Sequence, residues 1–206
     1  MCQNHARDAR QTSRPAVARG SAGLLWLRPS TWTDSGLESR RLAPVVGEGE
    51  RHGRTRFGAT ITVNGSDIVG RDITFFGTWE PNLTASLSWR LSPGDTFVDV
   101  GANVGHFTLL ASRLVGPTDR AVAVEPSPAN LTLLTRNAAS NRARNVQIVA
   151  AAASETAGAL DFYGDGVTAY ATLHAGWAAS RSLSAIGVVP VAPAARLADR
   201  RRTGDR

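Results

Sequence analysis

The chain has 206 residues, one domain's length and enough to bury about 70% of the surface that the unfolded chain exposes. Its formal net charge is +6, and all 23 basic residues are arginine, scattered without interleaved aromatics, so nucleic-acid binding is not expected. The single cysteine, Cys2, excludes an internal disulfide and a cysteine-rich zinc site, and His5, His52 and His174 have no ligand-like spacing, so no metal is implied.

Residues 1–56 are rich in Arg, Ser, Gly and Pro, show no apolar periodicity and read as a flexible leader. The patch Leu24 to Leu27 is too short for a membrane span, which needs about 20 residues, and fits a secretory signal poorly. A cytoplasmic location with no membrane partner is the expectation. From Ala59 the alternation A-T-I-T-V-N-G-S-D-I-V-G reads as a β-hairpin turning at Asn64-Gly65. A helix is expected over Leu83 to Leu91. Glu80, just before it, reads equally well as a helix cap or as a site contact.

Phe97, Val98 and Val100 form a short apolar run ending in Gly101, which reads as a buried parallel strand entering a glycine turn. Val104, Phe107, Leu110, Ala111 and Leu114 then recur at helical spacing until Gly116-Pro117. A second apolar strand, Ala121 to Val124, ends in Glu125. In such a β-α-β unit, ligands bind beyond the carboxyl ends of the strands, beside the glycine turn and the following helix N-terminus. Gly101 and Gly105 let a ligand approach the backbone, and Glu125 stands where a carboxylate can accept from the hydroxyls of a ribose. A nucleoside-containing ligand follows. The spacing is D-x-G-x-x-x-G rather than the dinucleotide fingerprint, and an anionic Asp99 suits a cationic ligand better than a pyrophosphate. Asn103 can donate or accept a side-chain hydrogen bond in the turn. His106, at the helix N-terminus, is a candidate general base or a spacer.

Beyond Glu125, Ser127 is a plausible N-cap with Pro128 in the first turn, and Leu131, Leu134 and Ala138 mark a second helix ending near Ser140-Asn141. A third strand spans Val146 to Ala150, with small residues Ala151 to Ser154 after it. Extra strands are expected at Ala159 to Tyr163 and Val188 to Val191.

D-V-G-A-N-V-G followed by H-F-T-L-L-A resembles the first motif of class I S-adenosylmethionine-dependent methyltransferases, and A-V-A-V-E-P-S-P resembles the second. More narrowly, G-T-W-E-P at Gly77, the run from Ser92 to Thr108, E-P-S-P at Glu125 and R-N-A-A-S-N-R at Arg136 are similar to the FkbM family, over roughly Ile61 to Asp199. The resemblance implies an α/β fold, the N-terminal part of a Rossmann-like class I sheet with strands one to three and flanking helices, preceded by the hairpin. It implies S-adenosylmethionine held by Asp99, Gly101, Asn103, Gly105 and Glu125, and methyl transfer to a hydroxyl on a small molecule or sugar. Glu80 and His106 are the candidates for catalysis. Family members continue with a strand carrying aspartate and a D-x-E-G-x-E run that residues 57–206 lack, so an incomplete domain with an exposed sheet edge, prone to oligomerise or aggregate, is expected. Two alternatives stay open: a non-enzymatic remnant, and a nicotinamide-dependent oxidoreductase, which should carry glycine at position 103.

Overall fold

The computed structural model describes residues 47–164 and 171–193. The expected leader up to residue 46, the glycine-rich stretch after Gly164 and the segment from residue 194 onward lie outside the described residues.

β1 (Glu50–Arg54) and β2 (Thr60–Asn64) form an antiparallel hairpin in which Arg51 pairs with Val63 and Arg54 with Thr60. Residues 50–54, read from sequence as leader, therefore belong to the folded unit. The hairpin turns over residues 55–59, where Thr55 Oγ1 accepts from the Ala59 amide at 2.9 Å. Asn64-Gly65 is not its turn. That dipeptide leads into α1 (Ile68–Phe76), with Asp67 as N-cap accepting from the Gly70 amide at 2.6 Å and Gly77 as a left-handed C-cap. An Asp N-cap and a glycine stop nine residues after the first helical position are strong helix punctuation, and here they outweigh the alternation of Ile61, Val63 and Val69.

The sheet edge of β2 that faces away from β1 is closed by a helix rather than a strand. Asn137 gives Nδ2 to the Thr62 carbonyl at 2.8 Å and takes the Thr62 amide on Oδ1 at 2.7 Å. Four residues on, Asn141 does the same for Thr60, at 2.6 and 3.0 Å. The match is geometric: four residues of helix advance about 6 Å and two residues of strand about 6.6 Å, so i and i+4 amides meet alternate strand residues. Around this seam, Ala59 just before β2 and Ile61 and Val63 within it pack with Val69 and Ile73 of α1 and with Val104, Leu109 and Leu133.

α2 (Pro81–Arg90) starts two residues earlier than expected and packs on α3 (His106–Val115). β3 (Phe97–Val100), β4 (Ala121–Val124) and β5 (Val146–Val149) form a parallel sheet in that order, with Phe97 beside Ala121 and Ala121 beside Val146. All four residues of β4 are buried, as expected of a strand covered on both faces. α3 and α4 (Pro128–Ser140) make the crossovers. This alternation of strand and helix around a parallel sheet is the Rossmann-like α/β arrangement. The expected apolar stripe of α3 is only partly right. Leu109 and Val115 are buried while Phe107 and Leu114 are half-exposed, and the polar His106, Thr108 and Ser112 are buried too, His106 against Thr84 of α2 and Thr108 against Asp99 of β3.

A second sheet, ordered β6-β9-β7-β8, is built from β6 (Ala152–Ser154), β7 (Gly158–Gly164), β8 (Ala171–Thr172) and β9 (Ser184–Pro193), with α5 (Ala175–Ser180) before the last strand. β9 is ten residues long, not the four expected at Val188 to Val191. It pairs antiparallel with β7 and parallel with β6, and does not cover β3.

Candidate functional site at the carboxyl ends of the strands

The end of β3 turns sharply. Gly101 has φ 77° and Gly105 φ 90°, in the region that glycine alone occupies without strain. Two hydrogen bonds tie the turn to the next strand, the amides of Gly101 and Ala102 both donating to the Val124 carbonyl, at 2.8 and 3.1 Å. The two glycines have different reasons for being glycine. A Cβ on Gly101 would meet nothing within 4 Å and project into open space, whereas one on Gly105 would lie 2.6 Å from Leu134 Cδ1. Gly101 leaves room for a ligand. Gly105 serves the packing of α4 instead, a correction to the expectation that both admit a ligand.

Asn103 sits between them at φ 50°, a left-handed conformation that asparagine tolerates better than most residues, and its Oδ1 accepts from the Val104 amide at 2.7 Å. Its own amide donates 2.8 Å to Glu125 Oε2. Glu125 is 4% exposed, and its Oε1 accepts from the Ser127 amide at 2.9 Å and from Asn130 Nδ2 at 3.3 Å. Glu125 therefore fastens the turn after β3 to the start of α4. A carboxylate has about four lone-pair sites, so three protein donors leave acceptor capacity for a ligand hydroxyl.

Asp99 is buried on the same strand end and accepts from Thr108 Oγ1 at 2.5 Å. Loss of water raises its pKa above the usual carboxylate value, with the Thr108 hydroxyl and amide opposing and the Glu125 charge adding slightly. A carboxylate short of solvent, next to a second one, is a place where an arriving cation restores favourable electrostatics. The residues present thus fit a ligand with a ribose at one end and positive charge at the other.

His106 departs from the general-base alternative and not from the spacer one. It is 3% exposed, its Nε2 accepts from the Trp79 amide at 3.3 Å, and the Phe57 ring meets it edge-on with centroids 5.3 Å apart. The Trp79 donor puts the imidazole proton on Nδ1, which is buried without a hydrogen-bond partner. Burial pushes the pKa down to about 4. His106 is therefore a neutral fastener between the 77–80 loop and the head of α3, not a general base open to substrate.

That fastening brings in Glu80. The Trp79 amide is held on His106, the first residue of α3, and Glu80 is the next residue in the chain. Glu80 is exposed, has φ 41°, and occupies the N-cap position of α2 without any side-chain capping bond. Glu80 is thus the N-cap residue, with a negative charge at the helix N-terminus as the cap reading had it, but its carboxylate makes no capping hydrogen bond. Left-handed backbone in a residue other than Gly, Asn or Asp costs about 1 kcal/mol or more and is held here by its surroundings.

Sequence reasoning missed Asn130 and Asn137. Both are buried, at 3% and 1% exposure, and both lie on the inward stripe of α4 with Leu133 and Leu134. The signal was available as asparagines at i and i+7 of a face whose i+3 and i+4 positions are Leu133 and Leu134.

Two clefts, of about 390 and 340 Å³, lie at the opposite, amino-terminal end of the sheet, lined by Thr96, Arg120, Arg144 and Asn145 among others. They are remote from the carboxylates and glycines described above, and the geometry of the turn is the better guide. Among the described residues no group of three or more His, Cys, Asp or Glu could hold a metal ion, and no helix is long and apolar enough to cross a membrane.

No family model matches the chain. In sequence it is similar to the arsenite methyltransferase of Halobacterium salinarum, 28% identical over 148 residues that make up 68% of this chain and 35% of the relative. The chain spans about a third of that relative's length. Among solved structures it is similar to the precorrin-6y C5,15-methyltransferase of Geobacter metallireducens, 33% identical with a TM-score of 0.31, over 34% of this chain and 36% of that one. It is also similar to the methyltransferase FkbM of Methylobacillus flagellatus, 18% identical with a TM-score of 0.34, over 53% of this chain and 24% of that one. The sequence likeness is to a methyltransferase, and the fold is the α/β arrangement of a parallel sheet with crossover helices.

Proposed function

We propose that the chain carries the cofactor-binding half of an S-adenosylmethionine-dependent methyltransferase of FkbM type, acting on a hydroxyl of a small molecule or sugar. The observation that carries this reading is the buried Glu125 closing β4, bonded to the amide of Asn103 in a D-x-G-x-x-x-G turn whose Gly101 faces open space. The cofactor supplies an electrophilic methyl group on a sulfonium. Glu125 accepts from the ribose, Gly101 admits the ligand to the backbone, and Asn103 and Gly105 hold the turn in shape. Asp99 balances the cationic end, and it does so best as a carboxylate, which the arriving charge favours over the proton. Methyl transfer of this kind is an in-line displacement, so positioning of the two reactants is the protein's main contribution. Glu80, an exposed carboxylate that follows the Trp79 fastened to the head of α3, is the group we assign to the acceptor, taking the proton of its hydroxyl or orienting it. FkbM type, rather than another methyltransferase family, rests on the G-T-W-E-P stretch that contains Glu80.

Titration of the purified chain with S-adenosylhomocysteine and, in parallel, with NAD tests the reading. Saturable binding of the first and none of the second is expected. Binding of NAD alone, or of neither, would overturn it.

A further inference from the structure

Asn130 lies in the first turn of α4, and the two ends of its side-chain amide are treated differently by the fold. Nδ2 donates to Glu125 Oε1 over a long 3.3 Å, while Oδ1 is buried with no hydrogen-bond partner. Turning the amide over does not help, because it would set a carbonyl oxygen against a carboxylate and orphan the amino group instead. A buried acceptor without a donor is unfavourable, and an apolar side chain of similar size would avoid the cost.

The backbone donors around Glu125 are already committed. The amides of Asn103 and Ser127 both donate to Glu125, and the amide of Asn130 itself donates to Ser127 Oγ at 3.4 Å. None of the three serves Oδ1, and a ligand at Glu125 can bring the donor that it lacks. Because Nδ2 touches the Glu125 carboxylate, Oδ1 of the same planar amide lies within a few ångströms of it. A ligand that places one hydroxyl on Glu125 and carries a second on the adjacent carbon has the donor that Asn130 lacks. Oδ1 is covered in this structure, so reaching it takes a rotation about χ2, a broad and soft torsion in asparagine that sacrifices only the 3.3 Å contact.

We propose that Asn130 is a second ribose-binding residue: its Oδ1 accepts one hydroxyl of a vicinal diol while Glu125 accepts the other, so the pair selects ribonucleosides over their deoxy analogues. The inference rests on the nucleoside-cofactor reading above. A site built to bond a hydroxyl rejects the analogue that lacks it, because its own polar group is then left unpaired.

The test is calorimetric titration of the full chain and of Asn130→Ala with S-adenosylhomocysteine and its 2′-deoxy and 3′-deoxy analogues, with thermal melting as the check on folding. The expected result is a loss of roughly tenfold in affinity for the ribo ligand in Asn130→Ala, the scale of one hydrogen bond, that disappears with one of the two deoxy analogues. An equal loss for all three ligands would assign Asn130 a purely structural role and overturn the inference, while the cofactor reading stood. Unchanged affinity would overturn it likewise. No binding by the wild-type chain would overturn both. Should Asn130→Ala not fold, the side-chain amide resonances of Asn130 in the wild-type chain decide the matter. They are expected to shift with the ribo ligand and one deoxy analogue but not with the other, and the same shift with all three would contradict the proposal.

Discussion

The Asn103 amide and Glu125 Oε2 are 2.8 Å apart, although 22 residues separate them in the chain. One end of that bond belongs to a left-handed residue in the turn after β3, the other to the residue that follows β4. The turn is therefore set by the carboxylate that would also meet the ligand, so binding and local order are linked at one group.

Substitution of Asn137 is expected to be among the most damaging changes to the fold. Its side chain makes three bonds, to the Thr62 amide, the Thr62 carbonyl and the Val104 carbonyl, and it is 1% exposed. Asn137→Ala leaves three buried backbone groups unanswered and should cost about 3 kcal/mol or more in urea denaturation. Asn141→Ala, at the more exposed end of the same seam, should cost less. Equal and small effects would mean that the hairpin is not held by these amides.

The two glycines of the turn should separate in their effects. Gly105→Ala drives a Cβ to 2.6 Å from Leu134, which is fully buried, and adds the strain of φ 90°, so a loss of about 2 kcal/mol or more is expected in thermal or urea unfolding. Gly101→Ala meets no protein atom and should cost only about 1 kcal/mol of stability, from its positive φ, while weakening ligand binding. The reverse order of stabilities would place the open space at the wrong glycine.

His106 gives the fold an acid sensitivity. Its folded pKa is lowered from 6.5 to about 4 by burial, so its contribution to stability is present above pH 6.5 and is lost as the pH falls through about 4. The full size is about 3 kcal/mol. Asp99, raised by desolvation, has the opposite sign: its share of stability is lost as the pH rises through its folded value. Comparing wild type with His106→Gln, which can still accept from Trp79, isolates the histidine. The variant should lose distinctly less stability between pH 7 and pH 4, and parallel profiles would show that His106 does not titrate in the folded state as described.

β3 pairs with β4 on one side and with no other strand among the described residues, and Val100 at its end is 59% exposed. Such an edge recruits other chains. Light scattering across a concentration series is expected to give a mass above the 21.8 kDa of one chain, reduced by Val100→Lys. A constant 21.8 kDa would mean that the edge is covered.

The parallel sheet was legible because its strands are continuous apolar runs ending in punctuation: Val100 into Gly101, Val124 into Glu125. Ser127 as the N-cap of α4 was readable for the same reason, its oxygen accepting from the Asn130 amide at 3.4 Å. α1 was hidden because Ile61, Val63, Ile68 and Val69 fit a strand period as well as a helix period over so short a span, and the Asn64-Gly65 turn signal competes with the Asp67 cap. Asp99, Gly101, Gly105 and Glu125 were readable as candidate site residues from spacing, and Asn103 came with the family resemblance. The reassignment of His106 was beyond sequence, because it depends on the loop 77–80 and Phe57 closing over it from elements distant in the chain.

Glu125→Ala bears on the account most directly. It removes the ligand's acceptor and the anchor of the turn together, so calorimetry with S-adenosylhomocysteine should show affinity weaker by about 1.5 to 3 kcal/mol than wild type, the scale for losing a charge-assisted hydrogen-bonded group. Circular dichroism should still show a folded α/β protein. Wild-type affinity in a folded Glu125→Ala variant would contradict the assignment of this carboxylate, and with it the site at the ends of β3 and β4.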